Sequence, residues 1–155
     1  MRSFTYTIHI DRSPEKVWAY MMDFDKAPRW RNLVRRVELV LPAPLGVGSR
    51  MKITFDVQGR QKTAISEVWA FEPARHFGVR NTEQNVTGVF EYHLEPDGRG
   101  TRIAFSCSIQ PRGYMWLLLP WLLKSNRRRY TEQLPRLKQE VERDGVIGAP
   151  PPDHA

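Results

Sequence analysis

The residues able to do chemistry are few, and their spacing names no reaction. The four histidines, His9, His76, His93 and His154, lack the short intervals that chelate a metal, so no metal ligand is assigned. His93 alternates with Tyr92 and Leu94 and should face solvent, whereas His76 opens a strand and can sit at a rim. Cys107 is the single cysteine, which rules out an intramolecular disulfide and a cysteine-type zinc site. Nothing in the neighbouring sequence supplies the basic surroundings that activate a thiol, so it reads as a small buried hydrophobe. No Gly-x-Ser-x-Gly elbow, phosphate loop or dinucleotide fingerprint occurs, and no cofactor is expected. Three weak catalytic candidates remain. A buried Tyr92 hydroxyl needs a partner and can fix a ligand carbonyl. Glu67 and Arg80 join it only if their strands slip by one residue, which swaps every face.

A second group is apolar. Phe55, Val57, Phe77, Phe90, Tyr92, Phe105, Cys107 and Ile109 recur at period two in successive segments and nominate one face of a sheet. So many large inward groups suit either a packed core or a mostly apolar pocket with few polar fixtures.

The elements that must carry them follow from periodicity. SFTYTIHI puts Phe4, Tyr6, Ile8 and Ile10 on one face of a half-buried strand. Ser13 then caps a short helix, with Pro14 at its first position and Glu15 in its positive first turn. Val17, Trp18, Met21 and Met22 give that helix one apolar face. A second stub, KAPRWRN, capped by Asp25, turns Trp30 back to the same side. About six strands in hairpin succession come next: RVELVL, MKITFDV, KTAISEVWAF, HFGVRNT, NVTGVFEYHL and TRIAFSCSI. KTAISEVWAF fits either face less cleanly than the others, and Gly59-Arg60 suits a tight turn. From Gly113 the period becomes helical for roughly 30 residues, with Pro120 and Pro135 expected to bend or interrupt the helix. GVIGAPPPDHA should stop it, leaving a single domain over 1–144 and a proline-rich tail over 145–155.

At 155 residues the chain is long enough for one self-sufficient core. MRSFTYTIHIDRS alternates, lacking the apolar core of a signal peptide. The longest apolar run, MWLLLPWLL, falls far short of the roughly 20 residues that span a bilayer. A cytoplasmic protein is expected. The formal charge of +7 comes from basic residues in every segment, with one real cluster at Lys124, Arg127, Arg128 and Arg129. Nucleic acid is the least fitting acidic partner, because the aromatic residues alternate into the sheet instead of accompanying that cluster. The apolar segment just before it can gate a cavity against an anionic membrane surface, form a homodimer contact, or simply be enclosed. Monomer and homodimer both stay open.

The opening, IDRSPEKVW followed by DFDKAPRW, resembles the START-like superfamily, also called SRPBCC. The likeness continues through PLGVGSRMKI, FEPARHFGVR, EPDGRGTRIAF and LPRLKQEVE, and its nearest branch is the polyketide cyclase/dehydrase-like group. It implies an α+β helix-grip fold: a curved antiparallel sheet of about seven strands wrapped around a long C-terminal helix, with two short helices after the first strand. It also implies a cavity between sheet and helix for an apolar small molecule such as a lipid, polyketide or quinone. Trp18, Trp30, Met115, Trp116 and Leu119 then join the inward sheet residues as ligand-binding candidates, the two stubs plugging one end. The alternative function is a cyclase/aromatase-like enzyme in the same cavity, with Tyr92 aided by Arg80 or Glu67.

Overall fold

Strand β1 (Arg2–Ile10) hydrogen-bonds not to the next strand in sequence but to the last, β7 (Gly100–Pro111), antiparallel and in unbroken register from Arg2 opposite Ile109 to Ile10 opposite Thr101. This computed structural model describes residues 2–40, 44–83 and 86–147, with the side chains of Arg2, Val57, Glu83, Asn126, Arg129, Tyr130 and residues 144–147 outside the described set. Between β1 and β7 run β2 (Val34–Leu39), β3 (Arg50–Val57), β4 (Arg60–Glu72), β5 (His76–Glu83) and β6 (Val86–Asp97). They form one seven-stranded antiparallel sheet, ordered β1-β7-β6-β5-β4-β3-β2. The strand that opens the chain therefore closes one edge, and the two helices that follow it must cross the sheet to reach β2 at the other.

Local chemistry explains that crossing. Helix α1 (Pro14–Met22) begins where Ser13 Oγ accepts the Lys16 N–H, with Pro14 in the first turn where no amide donor is needed. It buries Val17, Trp18, Tyr20 and Met21. A single 3-10 turn (Phe24–Lys26) and the four-residue helix α2 (Ala27–Trp30) complete the stub. Asp25 does not cap α2 as expected: it lies inside the 3-10 turn, and neither short element has a side-chain cap.

Strand β4 carries the irregularity its sequence hints at. Val68 lies opposite Val79 but Ala70 opposite Gly78, a bulge that inserts Trp69 and reverses the parity beyond it. Ser66 and Val68 face inward before the bulge, and Phe71, paired with Phe77, faces inward after it. The β3–β4 turn sits one residue earlier than expected, at Gln58-Gly59, both with positive φ (51° and 78°).

Beyond β7 a 3-10 segment (Gly113–Leu118) leads into α3 (Leu119–Ile147). Pro120 falls in the first turn of α3 and interrupts nothing, and Pro135 lies inside a helix that continues past it. The helix also runs through Gly145 to Ile147, so the expected stop at Gly145 is corrected, while 148–155 of the expected tail lie outside the described residues. Leu134, Leu137 and Val141 are the buried stripe of α3, which packs over β1 and β7 and against α1 and α2.

Candidate functional site

A helix laid over β1 and β7 leaves the other half of the concave face, β3 to β6, to be covered by something else. At one end that half is filled by rings. Trp18 of α1 sits edge-on to Phe71 (5.4 Å between centroids) and Phe77 (6.1 Å), and the network runs on through Tyr92 to Phe105 at 4.9 Å. Phe4 and Phe90 close it from either side of Phe105. Trp18, Phe105 and Cys107 are thus core residues away from the open volume, with Phe105 and Cys107 fully buried.

The other end is open. Where the β3–β4 and β5–β6 hairpins turn, a cavity of about 680 Å³ lies between the sheet, the segment Arg31 to Val34, and the start of the C-terminal helical region. Phe55, Ala64, Asn81, Phe90 and Ile109 line it from the sheet, and Met115, Leu122 and Gln133 from the helical side. An inner recess of about 30 Å³, room for a water or two, continues inward past Met21, Trp30, Phe77, Phe90 and Tyr92. Arg31, Asn81 and Phe90 border both spaces and mark where the recess meets the main cavity.

Of the expected ligand-binding residues, the structure brings Phe55, Phe90 and Met115 to the main cavity and Trp30, Phe77 and Tyr92 to the recess. Leu119 is buried elsewhere, and Trp116 is half exposed on the outside. The Val57 side chain lies outside the described residues. No strand slip brings Glu67 and Arg80 inward. They are register partners, both exposed on the convex face, where each alternates with an inward neighbour, Val68 or Val79.

The polar fixtures of the cavity were missed at the level of sequence. Gln133, only 2% exposed, donates from Nε2 to the Tyr92 hydroxyl and accepts the Asn32 N–H at Oε1, both at 3.4 Å. Ser66 Oγ donates to Asn81 Oδ1 within the inner wall. Arg31 lies beside Trp30, its guanidinium 5.9 Å from the ring, and its buried Nε has no hydrogen-bond partner among the described residues. The available signal was modest: a glutamine directly before Leu134 in an otherwise apolar helical stripe, and an arginine directly after the buried Trp30. Leu33, beside them at the mouth, is held at φ 66°, a left-handed conformation that a leucine adopts only under constraint.

Charged contacts pin the stub over this site. Arg136 of α3 donates to Asn32 Oδ1 and to the Arg29 carbonyl (3.1 Å). Nearer the end of α3, Glu142 accepts from the Asp11 N–H (2.8 Å) and from Lys138 Nζ (2.7 Å), and Arg12 donates to the Glu142 carbonyl. Partial burial raises the Glu142 carboxyl, but the Lys138 and Asp11 hydrogen bonds and nearby Arg12 outweigh it and hold it below its ordinary value. Tyr20 donates to Glu140 (3.3 Å), and burial, then the Glu140 charge, push its phenol upward.

Residues 1–142 match the family described as polyketide cyclase/dehydrase and lipid transport. The chain belongs to this family. No curated protein matches its sequence. Among solved structures it is similar to a START superfamily protein from Mycobacterium smegmatis (TM-score 0.73, 15% identity, covering 91% of this chain and 97% of that one). The Zhui aromatase/cyclase from a Streptomyces species gives TM-score 0.73 and 19% identity over 92% of this chain and 94% of that one. The di-domain aromatase/cyclase BexL gives 0.78 and 18%, covering 92% of this chain but only 47% of BexL. These likenesses establish the helix-grip fold. Family membership supports a site for small hydrophobic ligands without naming one.

Proposed function

We propose that this chain is a cytoplasmic carrier for an apolar molecule with an acceptor-bearing or anionic head, held with its body in the main cavity and its head at Arg31. The observation that carries the reading is the cavity of about 680 Å³ bordered by an arginine whose buried Nε lacks a partner among the described residues. An unpaired buried donor is costly, and a ligand oxygen there would satisfy it. At about 30 Å³ per water molecule in the liquid, one non-hydrogen atom each, the space suits roughly 20 non-hydrogen atoms. The described lining offers Arg31, Lys62 and Tyr92 but no carboxylate or imidazole to exchange a proton, which favours carriage over cyclase/aromatase-like chemistry.

The rim adds a route of delivery. Tyr114, Trp116, Leu117, Leu118 and Trp121 are exposed, Leu117 at 84% and Trp121 at 62%, in the same segment as the cavity-lining Met115 and Leu122. Lys124, Arg127 and Arg128 follow at once and are exposed as well. Arg127 lies over the Phe4 ring (5.5 Å) and Arg128 pairs with Glu132 (3.5 Å), while the Arg129 side chain lies outside the described residues. Apolar anchors followed by cations suit an anionic membrane surface. Among the described residues no helix is long and apolar enough to cross a membrane.

Displacement of an apolar fluorophore by a long-chain carboxylic acid and by its neutral ester tests the site. The acid should compete saturably, and Arg31→Leu should weaken it by about tenfold, the worth of a hydrogen bond to a charged group, while hardly changing the ester. No saturable competition by either would reject the carrier reading; equal loss for both would reject the role of Arg31. Sedimentation with vesicles tests the rim: binding to anionic but not neutral lipid is expected, and equal, negligible binding to both would remove the membrane. A protein that dimerises until Trp121→Ser makes it monomeric would assign the patch to a second copy instead.

A further inference from the structure

On the convex face, away from the cavity, three side chains converge. His76 of β5 and His93 of β6 are register partners, and their rings stack 4.0 Å apart at 18°. Glu91, two residues before His93 and thus on the same face, places Oε1 at 2.9 Å from His76 Nε2 and 3.2 Å from His93 Nε2. Glu91 is itself opposite Gly78, and a Cβ at 78 would meet the Trp69 ring at 2.7 Å. Glycine there lets the bulged indole lie under the cluster, edge-on to His76 at 5.6 Å.

We propose that His76, Glu91 and His93 form a binding site for one divalent transition-metal ion of the zinc class. Their donor atoms all lie within 4.8 Å of one another. Two ligands each 2.0–2.2 Å from a shared ion stand about 3.3–3.6 Å apart at the tetrahedral angle. Glu91 Oε1 lies 2.9 and 3.2 Å from the two nitrogens, so a bound ion opens these separations by a few tenths of an ångström and turns the stacked rings until both Nε2 lone pairs meet it. The two imidazole donors select zinc, copper or nickel over magnesium and calcium. Glu72, the register partner of His76, holds Oε2 at 3.8 Å from His76 Nδ1, beyond a hydrogen bond but on the side from which an outer carboxylate orients a metal-binding imidazole. The His93 side chain is about half exposed, so the ion has an entry path and keeps a position for water. Sequence spacing hides the site because the two histidines meet only through the β5–β6 register. The third histidine on described backbone, His9, pairs with Asp97 at 3.0 Å instead and serves as a control.

Calorimetric titration of the metal-stripped, tag-free full chain with Zn²⁺ alone tests this. One equivalent should bind saturably. His76→Ala and His93→Ala should each weaken binding at least tenfold, Glu72→Gln by about tenfold, and His9→Ala not at all. With Zn²⁺ at about 100 times Kd the wild type should gain roughly 5–10 °C in Tm, a gain lost in His93→Ala, whose exposed position leaves folding in the absence of metal intact. Absence of saturable binding, or binding that survives both histidine variants, would overturn the proposal.

Discussion

Trp30 is where the fold and the site meet, and its removal can be costed from its surroundings. The side chain is 3% exposed, edge-on to Tyr92 at 6.4 Å, and borders the recess. Truncating a buried Trp or Phe to Ala commonly costs about 3–5 kcal/mol. Two features lower the figure. The neighbouring recess already leaves about 30 Å³ unfilled, so part of the packing loss is present in the native state. The buried Trp30 Nε1 has no hydrogen-bond partner among the described residues, and deleting it relieves a penalty of about 1–3 kcal/mol. Trp30→Ala should therefore destabilise by about 2–3 kcal/mol, a fall in Tm of about 4–12 °C for a chain of this length. Trp30→Phe keeps a ring and removes the orphan donor, so it should stay within about 1 kcal/mol of wild type. Calorimetric unfolding with near-ultraviolet circular dichroism reads both. Equal costs for Ala and Phe would refute the reasoning, and so would an Ala variant indistinguishable from wild type.

Two further outcomes follow from the seams around the site. Because the Glu142 carboxyl is held below its ordinary value of 4.5, its contribution is present above that pH and lost as pH falls through the lowered folded-state value. Denaturant unfolding should show wild type losing stability below about pH 4.5 more steeply than Glu142→Gln; parallel curves would deny that Glu142 anchors α3 to Asp11. Gly100→Ala would place a Cβ 2.3 Å from the Ile10 carbonyl oxygen, a backbone atom that cannot rotate away. Overpacking of this kind costs about 1–3 kcal/mol, and an unchanged denaturation midpoint would mean the β1–β7 seam is looser than drawn.

The architecture was legible because each element carries a local signature. Phe4 to Ile10 alternate, Ser13-Pro14 opens a helix, and Leu134, Leu137 and Val141 keep the helical interval, so the strand–helix–strands–helix order could be read directly. KTAISEVWAF resisted a clean face because the Trp69 bulge changes its parity halfway, an insertion that depends on pairing with β5. Membership of the cavity was harder to read. Parity says that Phe55 and Phe105 both face inward, but not that α3 lies over β1 and β7 and leaves most of the space toward β3 to β6. Arg31 and Gln133 escaped notice for a related reason: a polar residue is marked as a fixture by burial and by what it fails to bond, and neither is a property of the neighbouring sequence. His76 and His93 show the same limit on the outer face, where register alone makes them neighbours.

Ala64 offers the most direct test of the cavity. It lines the main space from β4, inward like Ser66 and Val68 and opposite Ile53. An indole there would occupy the opening without touching the ring-filled end. Native mass spectrometry of gently purified wild-type protein should find one apolar molecule of roughly 20 non-hydrogen atoms per chain, the size set by the space available. The Ala64→Trp variant should emerge empty, with an unchanged fold by circular dichroism. A wild type that neither retains nor takes up such a molecule, or a variant that holds it equally well, would contradict the account.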